Sequence, residues 1–145
     1  MTTVERLLET KGSGVWSIPP EASVFEAVQL MAEKGIGALM VLERNQLVGI
    51  ISERDYAREI VLKDRSSRGT PVRDIMTRKV LFVRPEQTLE ECMALMTERH
   101  LRHLPVLRGE RLVGVISMRD VVKSLISEKE FLIEQLENYI TERRV

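Results

Sequence analysis

The sequence predicts a mixed α/β fold made of two β-α-β-β-α repeats, and two observations carry that expectation. Residues 18–61 align without a gap onto residues 83–126, at an offset of 65 positions throughout. Identities fall at Pro20/Pro85, Glu21/Glu86, Leu30/Leu95, Met31/Met96, Leu39/Leu104 and Val41/Val106. The densest run pairs Leu47-Val48-Gly49 with Leu112-Val113-Gly114, then Ser52-x-Arg54-Asp55 with Ser117-x-Arg119-Asp120. Within each copy, moreover, the apolar pattern passes from extended to helical, to two extended runs, to helical again. A long period present only twice argues for a pseudo-two-fold pair rather than an open solenoid. Clefts between repeated units are common ligand sites.

Each copy opens on an extended apolar piece, Val15-Trp16-Ser17-Ile18 or Val80-Leu81-Phe82-Val83, that stops at a proline. Ser23 and Thr88 read as helix N-caps. Beyond them Val24, Ala27, Val28, Met31 and Leu89, Cys92, Met93, Met96 keep helical spacing. Gly35 closes the first of these helices and His100 takes the matching place in the second. Two β-rich runs follow in each copy, joined by the polar turns Glu43-Arg44-Asn45-Gln46 and Arg108-Gly109-Glu110-Arg111. A further helix opens at Ser52 and at Ser117. Residues 63–70 form a polar surface connection, and Pro71 begins a short helix leading into the second copy. After Ile126 the helical pattern runs to the C-terminus, with Leu132, Leu136 and Ile140 on one stripe that needs an apolar partner surface. The expected division is 1–70 for the first repeat with the N-terminal helix, 71–127 for the second, and 128–145 for an extended helical tail.

The chain of 145 residues carries 22 Lys+Arg and 22 Asp+Glu, a net charge of zero. No basic face is implied, so nucleic-acid binding lacks its usual driving term. Neither a signal peptide nor a membrane span is expected. The single cysteine, Cys92, excludes an intrachain disulfide and fits a reducing, cytoplasmic setting. Its place on an apolar helical stripe reads as a small core residue. His100 and His103 have no third ligand nearby in sequence, so no metal is expected.

The chemistry is expected in Gly49 to Asp55 and Gly114 to Asp120, each passing from a strand into a helix N-terminus. Ser at the N-cap with Asp at N3 makes a capping box. Arg54 and Arg119 at N2 oppose the positive end of the helix dipole. An anion held there would remove the conflict, with free N–H groups, the Ser hydroxyl and the guanidinium converging on phosphate. Asp55 or Asp120 would then accept hydrogen bonds from a diol. Phosphate and ribose contacts together describe a nucleotide.

On these residues the sequence resembles a tandem pair of cystathionine β-synthase-type (CBS) domains, a Bateman module. The segments GIISERDYARE, Asp74-Ile-Met76, Arg102-His-Leu-Pro-Val106 and Leu136-Glu-Asn-Tyr-Ile140 further resemble stand-alone bacterial and plant-organelle CBS-pair proteins. The resemblance implies a non-catalytic regulatory module, usually a homodimer, that binds AMP, ADP, ATP or NAD(H) in the cleft between repeats and acts on a protein partner. It also implies composite sites. One joins Ser52, Arg54 and Asp55 to Leu81, Phe82, Arg102, His103, Leu104 and Pro105. The other joins Ser117, Arg119 and Asp120 to Trp16, Ser17, Ile18, Gly37, Ala38, Leu39 and Met40. Arg102 and His103 would make the Asp55 site the more cationic, leaving the Asp120 site roomier and less charged. Arg65 and Arg68 in the connection are further candidates for phosphate. The alternative is a structural dimerisation module with no physiological ligand, and an enzyme would need a nucleophile–base pair, a metal set or a phosphate loop that this sequence lacks.

Overall fold

The computed structural model describes residues 2–12 and 14–143. The chain divides into two compact units. The first takes the described residues of Met1–Ser13, Val83–Val106 and Gly114–Val145; the second takes Gly14–Phe82 and Leu107–Val113.

In the second unit, β1 (Ser17–Ile18) runs parallel to β2 (Ala38–Glu43), and β2 pairs antiparallel with β3 (Gln46–Ser52). The prolines at 19 and 20 end β1 after two residues. Between β1 and β2 lies α2 (Val24–Lys34), capped by the Ser23 side chain and closed by Gly35 in the left-handed region (φ 64°). Arg44 and Asn45 both have positive φ (52° and 66°), so the β2–β3 hairpin turns with the twist of its strands. A one-turn helix α3 (Glu53–Tyr56) follows, then a π-helical turn, Ala57–Val61, where a continuous α-helix was expected. The wider turn puts Ile60 in the core (3% exposed) and leaves Val61 and Leu62 at the surface. After the connection, Val72–Asp74 form a 3₁₀ turn. Thr77 then exchanges backbone hydrogen bonds with Ile50 (2.8 and 3.0 Å), adding a bridge to the edge of β3. The core gathers Val24, Ala27, Met31, Leu39, Val41 and Ile51 with Val72, Ile75 and Met76.

The second repeat, most of which lies in the first unit, follows the same plan. Helix α4 (Leu89–Arg99) is capped by Thr88 and closed by His100 at φ 56°. Strands β4 (His103–Arg108) and β5 (Arg111–Ser117) form a two-stranded sheet. The strand expected at residues 80–83 shrinks to a single parallel bridge, Val83 with Val106, and Leu81 and Phe82 stay exposed. Helix α5 (Met118–Arg143) continues unbroken for 26 residues, as the periodicity predicts.

Helix α1 (Val4–Lys11) belongs with this unit and not, as expected, with the first repeat. Thr3 bridges Thr88, and Leu89 N–H donates to Thr2 O, as Ser23 bridges Pro71 and Val24 N–H donates to Thr70 O in the other unit. Val4, Leu7 and Leu8 therefore stand where Val72, Ile75 and Met76 stand, each 68 positions apart (72 less 4, 75 less 7, 76 less 8), and all six are buried. Each such side chain contributes roughly 1.5–3 kcal/mol by burial. The segment preceding the first repeat thus completes the core of the second, and the connection completes the core of the first. Among the described residues no helix is long and apolar enough to cross a membrane.

Candidate functional site

Both Ser-x-Arg-Asp corners are helix caps built on the same pair of reciprocal hydrogen bonds. Ser52 N–H donates to Asp55 Oδ2 at 2.9 Å and Asp55 N–H returns to Ser52 Oγ at 3.2 Å, a complete capping box. In the other corner Ser117 N–H donates to Asp120 Oδ2 and Asp120 N–H to Ser117 Oγ, both at 3.1 Å. The first amide of each helix is also engaged: Glu53 N–H donates to Gly37 O (3.0 Å) and Met118 N–H to Arg102 O (2.8 Å). The free N–H groups expected for an anion are thereby reduced, since the first and third amides of each helix already have acceptors. Arg54 and Arg119 project from N2 as exposed cations.

The carboxylates are not free either, which corrects a second expectation. Thr77 Oγ1 donates to Asp55 Oδ1 at 3.3 Å. At the other corner the Lys11 ammonium, on the last turn of α1, ion-pairs with Asp120 Oδ2 and donates to Val115 O at 2.8 Å. Partial burial pushes the Asp120 carboxyl up, but the hydrogen bonds from Lys11 and Ser117 and the Lys11 charge outweigh it and hold the group below the usual carboxylate range. The corner expected to be the less charged therefore has an ammonium on its acid. Sequence reasoning missed Lys11 and Thr77: a lysine ending a short helix reads as a complement to the helix dipole, and nothing local marks a partner 109 residues away.

The remaining candidates sort by unit. Arg102 and His103, assigned by resemblance to the Asp55 site, line one depression of about 730 Å³ with Ser117, Arg119, Val122 and Ile126. Asp120 faces a separate groove of about 750 Å³ between α1 and α5. Leu104 and Pro105 are buried, as are Ile18, Leu39 and Met40, so any ligand contact from these positions falls to their backbone. Gly37 and Ala38 are half-buried, and Ser17 is exposed. Trp16, Leu81 and Phe82 offer exposed apolar surface, and Lys34 sits 4.2 Å over the Trp16 ring. Arg65 lies 3.7 Å from Asp74, and Arg68 stacks 3.8 Å over Phe25, so both loop arginines have partners within their own unit. Cys92 is buried, and desolvation, with Glu91 nearby, pushes its thiol up to about 11, which keeps it from acting as a nucleophile. Among the described residues no three His, Cys, Asp or Glu side chains come together as metal ligands.

Comparison with known proteins agrees with the repeat. The family model "CBS domain" matches residues 12–62 and again residues 72–127. The chain is 37% identical over 149 aligned positions to the Arabidopsis thaliana protein "CBS domain-containing protein CBSX3, mitochondrial", covering 96% of this chain and 72% of that protein. A solved putative signal-transduction protein with CBS domains from Burkholderia ambifaria is 50% identical, with a TM-score of 0.83 over 87% of this chain and 95% of that one. The same fold appears, at 21% identity and a TM-score of 0.77, in the CBS domain pair of protein MJ0100, solved with 5′-methylthioadenosine and S-adenosyl-L-methionine. That match covers 88% of this chain and 98% of the other. With two copies of the domain together matching about three quarters of its length, the chain belongs to the CBS domain family.

Proposed function

We propose that this chain is a non-catalytic sensing module that binds adenosine-containing nucleotides (AMP, ADP, ATP or NAD(H)) at its two Ser-x-Arg-Asp corners. The observation that carries the reading is the duplicated corner itself. Each copy presents an exposed arginine beside a hydroxyl and a carboxylate at a helix start. That set matches phosphate and ribose hydroxyls. Exposed Trp16, Leu81 and Phe82 provide surface on which a base stacks. A protein of the same fold was solved with two adenosine-containing ligands, which supports the choice of ligand class. Neither relative described above is named for an enzyme.

The module acts as a homodimer in the cytoplasm, without nucleic acid or membrane, and reports its ligand to a protein partner. Leu132, Leu136 and Ile140 are each more than half exposed on α5, and a second copy of the chain is the surface that covers them. A purely structural dimerisation module is the second reading. The complete caps favour it, because both carboxylates already have internal donors.

Ligand-dependent stability separates the two. A ligand that binds only the folded state stabilises it by about 2.7 kcal/mol at a hundredfold excess over its dissociation constant. AMP, ADP, ATP or NAD(H) in the millimolar range is expected to raise the melting temperature, and guanine nucleotides to raise it less. A melting temperature unmoved by all four adenosine ligands would leave the structural reading standing.

A further inference from the structure

We propose that Lys11 is a specificity-determining residue of the Asp120 corner, making it select phosphorylated adenosine ligands over the uncharged nucleoside. This rests on the nucleotide reading above and concerns one of its two corners.

The two corners place different groups at the same pair of acceptors. In the first repeat these acceptors are Ile50 O and Asp55; at the offset of 65 they become Val115 O and Asp120. Thr77 serves the first pair with its backbone N–H and its hydroxyl, at 2.8 and 3.3 Å. Lys11 serves the second pair with a single ammonium. One cationic side chain thus replaces a neutral backbone-plus-hydroxyl contact.

That replacement changes what a ligand must do. Two backbone hydrogen bonds to Ile50 fix the Thr77 backbone, and its neutral hydroxyl can turn away from Asp55 without leaving a charge unpaired. Lys11 holds its acceptors only through the end of a flexible four-carbon stem, and its side chain is 34% exposed. A ribose diol offers neutral O–H donors, so on reaching Asp120 Oδ2 it displaces the ammonium from its counter-charge. Adenosine gives the displaced lysine nothing in return. A ligand phosphate gives it a new anionic partner within reach of the same stem. Arg6 and Lys123 line the same groove with one further acid, Glu128, whose carboxylate accepts from Thr2 Oγ1 at 3.3 Å, so the charges around the Lys11–Asp120 pair still lean towards holding an anion. The Asp55 corner, closed by Thr77, has no displaceable cation on its acid.

The test compares AMP with adenosine by calorimetric titration in an Asp55→Ala background, where only the Asp120 corner remains. With Lys11 present, AMP is expected to bind at least about tenfold tighter than adenosine, the size of one charge-assisted hydrogen bond. Lys11→Met should weaken AMP by about tenfold while adenosine binds as well or better, collapsing the ratio; Lys11→Arg should keep most of it. A ratio unchanged by Lys11→Met, with AMP still binding, overturns the role of Lys11 and leaves the nucleotide reading intact. Absence of AMP binding in the wild type and in every variant overturns both.

Discussion

At Asp55 the acid is met by Thr77, whose backbone extends the edge of β3; at Asp120 it is met by Lys11, the last residue of α1. The capping hydrogen bonds are the same within 0.2 Å, yet one carboxylate has a neutral neighbour and the other a cation. The difference comes from the segments that precede each repeat. They occupy equivalent places in the two cores, but one is a 3₁₀ turn that ends in a single bridge at Thr77 and the other is a full helix. Duplication has preserved the apolar skeleton while leaving the rim of each corner to diverge. The two corners therefore present two chemistries built on the same cap.

The sharpest structural test of this contrast lies beneath the corners, at Gly49 and Gly114. A Cβ added at Gly49 would stand 2.6 Å from Met76 Sδ and 3.0 Å from the backbone oxygen of Thr77. At Gly114 it would stand 2.7 Å from Leu8 Cδ2, and its three nearest neighbours are all atoms of that leucine side chain. Gly49→Ala is expected to cost about 1–3 kcal/mol, the usual range for overpacking, because a bridged backbone cannot yield. Gly114→Ala should cost less, since Leu8 can change rotamer. Denaturant unfolding of the two variants measures both. Equal losses would mean that the two preceding segments are held alike.

A smaller effect is expected in acid. The folded-state value of Asp120 is depressed, so its contribution to stability is complete above the unfolded carboxylate value of about 3.9 and is lost as pH falls through the lower folded value. Lys11→Met removes the partner and should flatten this part of the acid limb. At neutral pH the variant should lose only about 0–1 kcal/mol, because the pair is partly exposed to solvent. Melting temperatures of wild type and variant from pH 7 down to pH 3 follow both effects. An acid limb as steep in the variant as in the wild type would mean that Lys11 does not hold the acid in solution.

Local signals were legible in the sequence. Ser23, Thr88, Gly35 and His100 act as the caps their types and positions suggest, because a cap is decided within a single turn. The hairpins and the long C-terminal helix follow from patterns just as local. The destination of α1 was not legible. Its stripe Val4, Leu7, Leu8 says that a partner surface is needed and not which one. The three-residue difference between the offsets of 65 and 68 also hides its kinship with Val72, Ile75 and Met76. The run at residues 80–83 has strand composition but yields one bridge, since β propensity depends on the neighbours a strand finds. At the site, the capping boxes could be read from spacing alone. Lys11 on Asp120 and Thr77 on Asp55 could not, because contacts that link distant segments leave no periodicity behind.

The central claim, that both corners bind an adenine nucleotide through their acids, is tested most directly by titrating AMP into the wild type, Asp55→Ala, Asp120→Ala and the double variant, each first confirmed as folded by circular dichroism. A hydrogen bond to a charged group is worth about 1.5–3 kcal/mol. Each single variant is therefore expected to weaken its own corner by about tenfold to a hundredfold, leaving one phase of the titration. The double variant should retain no binding in the range where the wild type saturates. A double variant that binds AMP as the wild type does would reduce both Ser-x-Arg-Asp corners to helix caps and contradict the account.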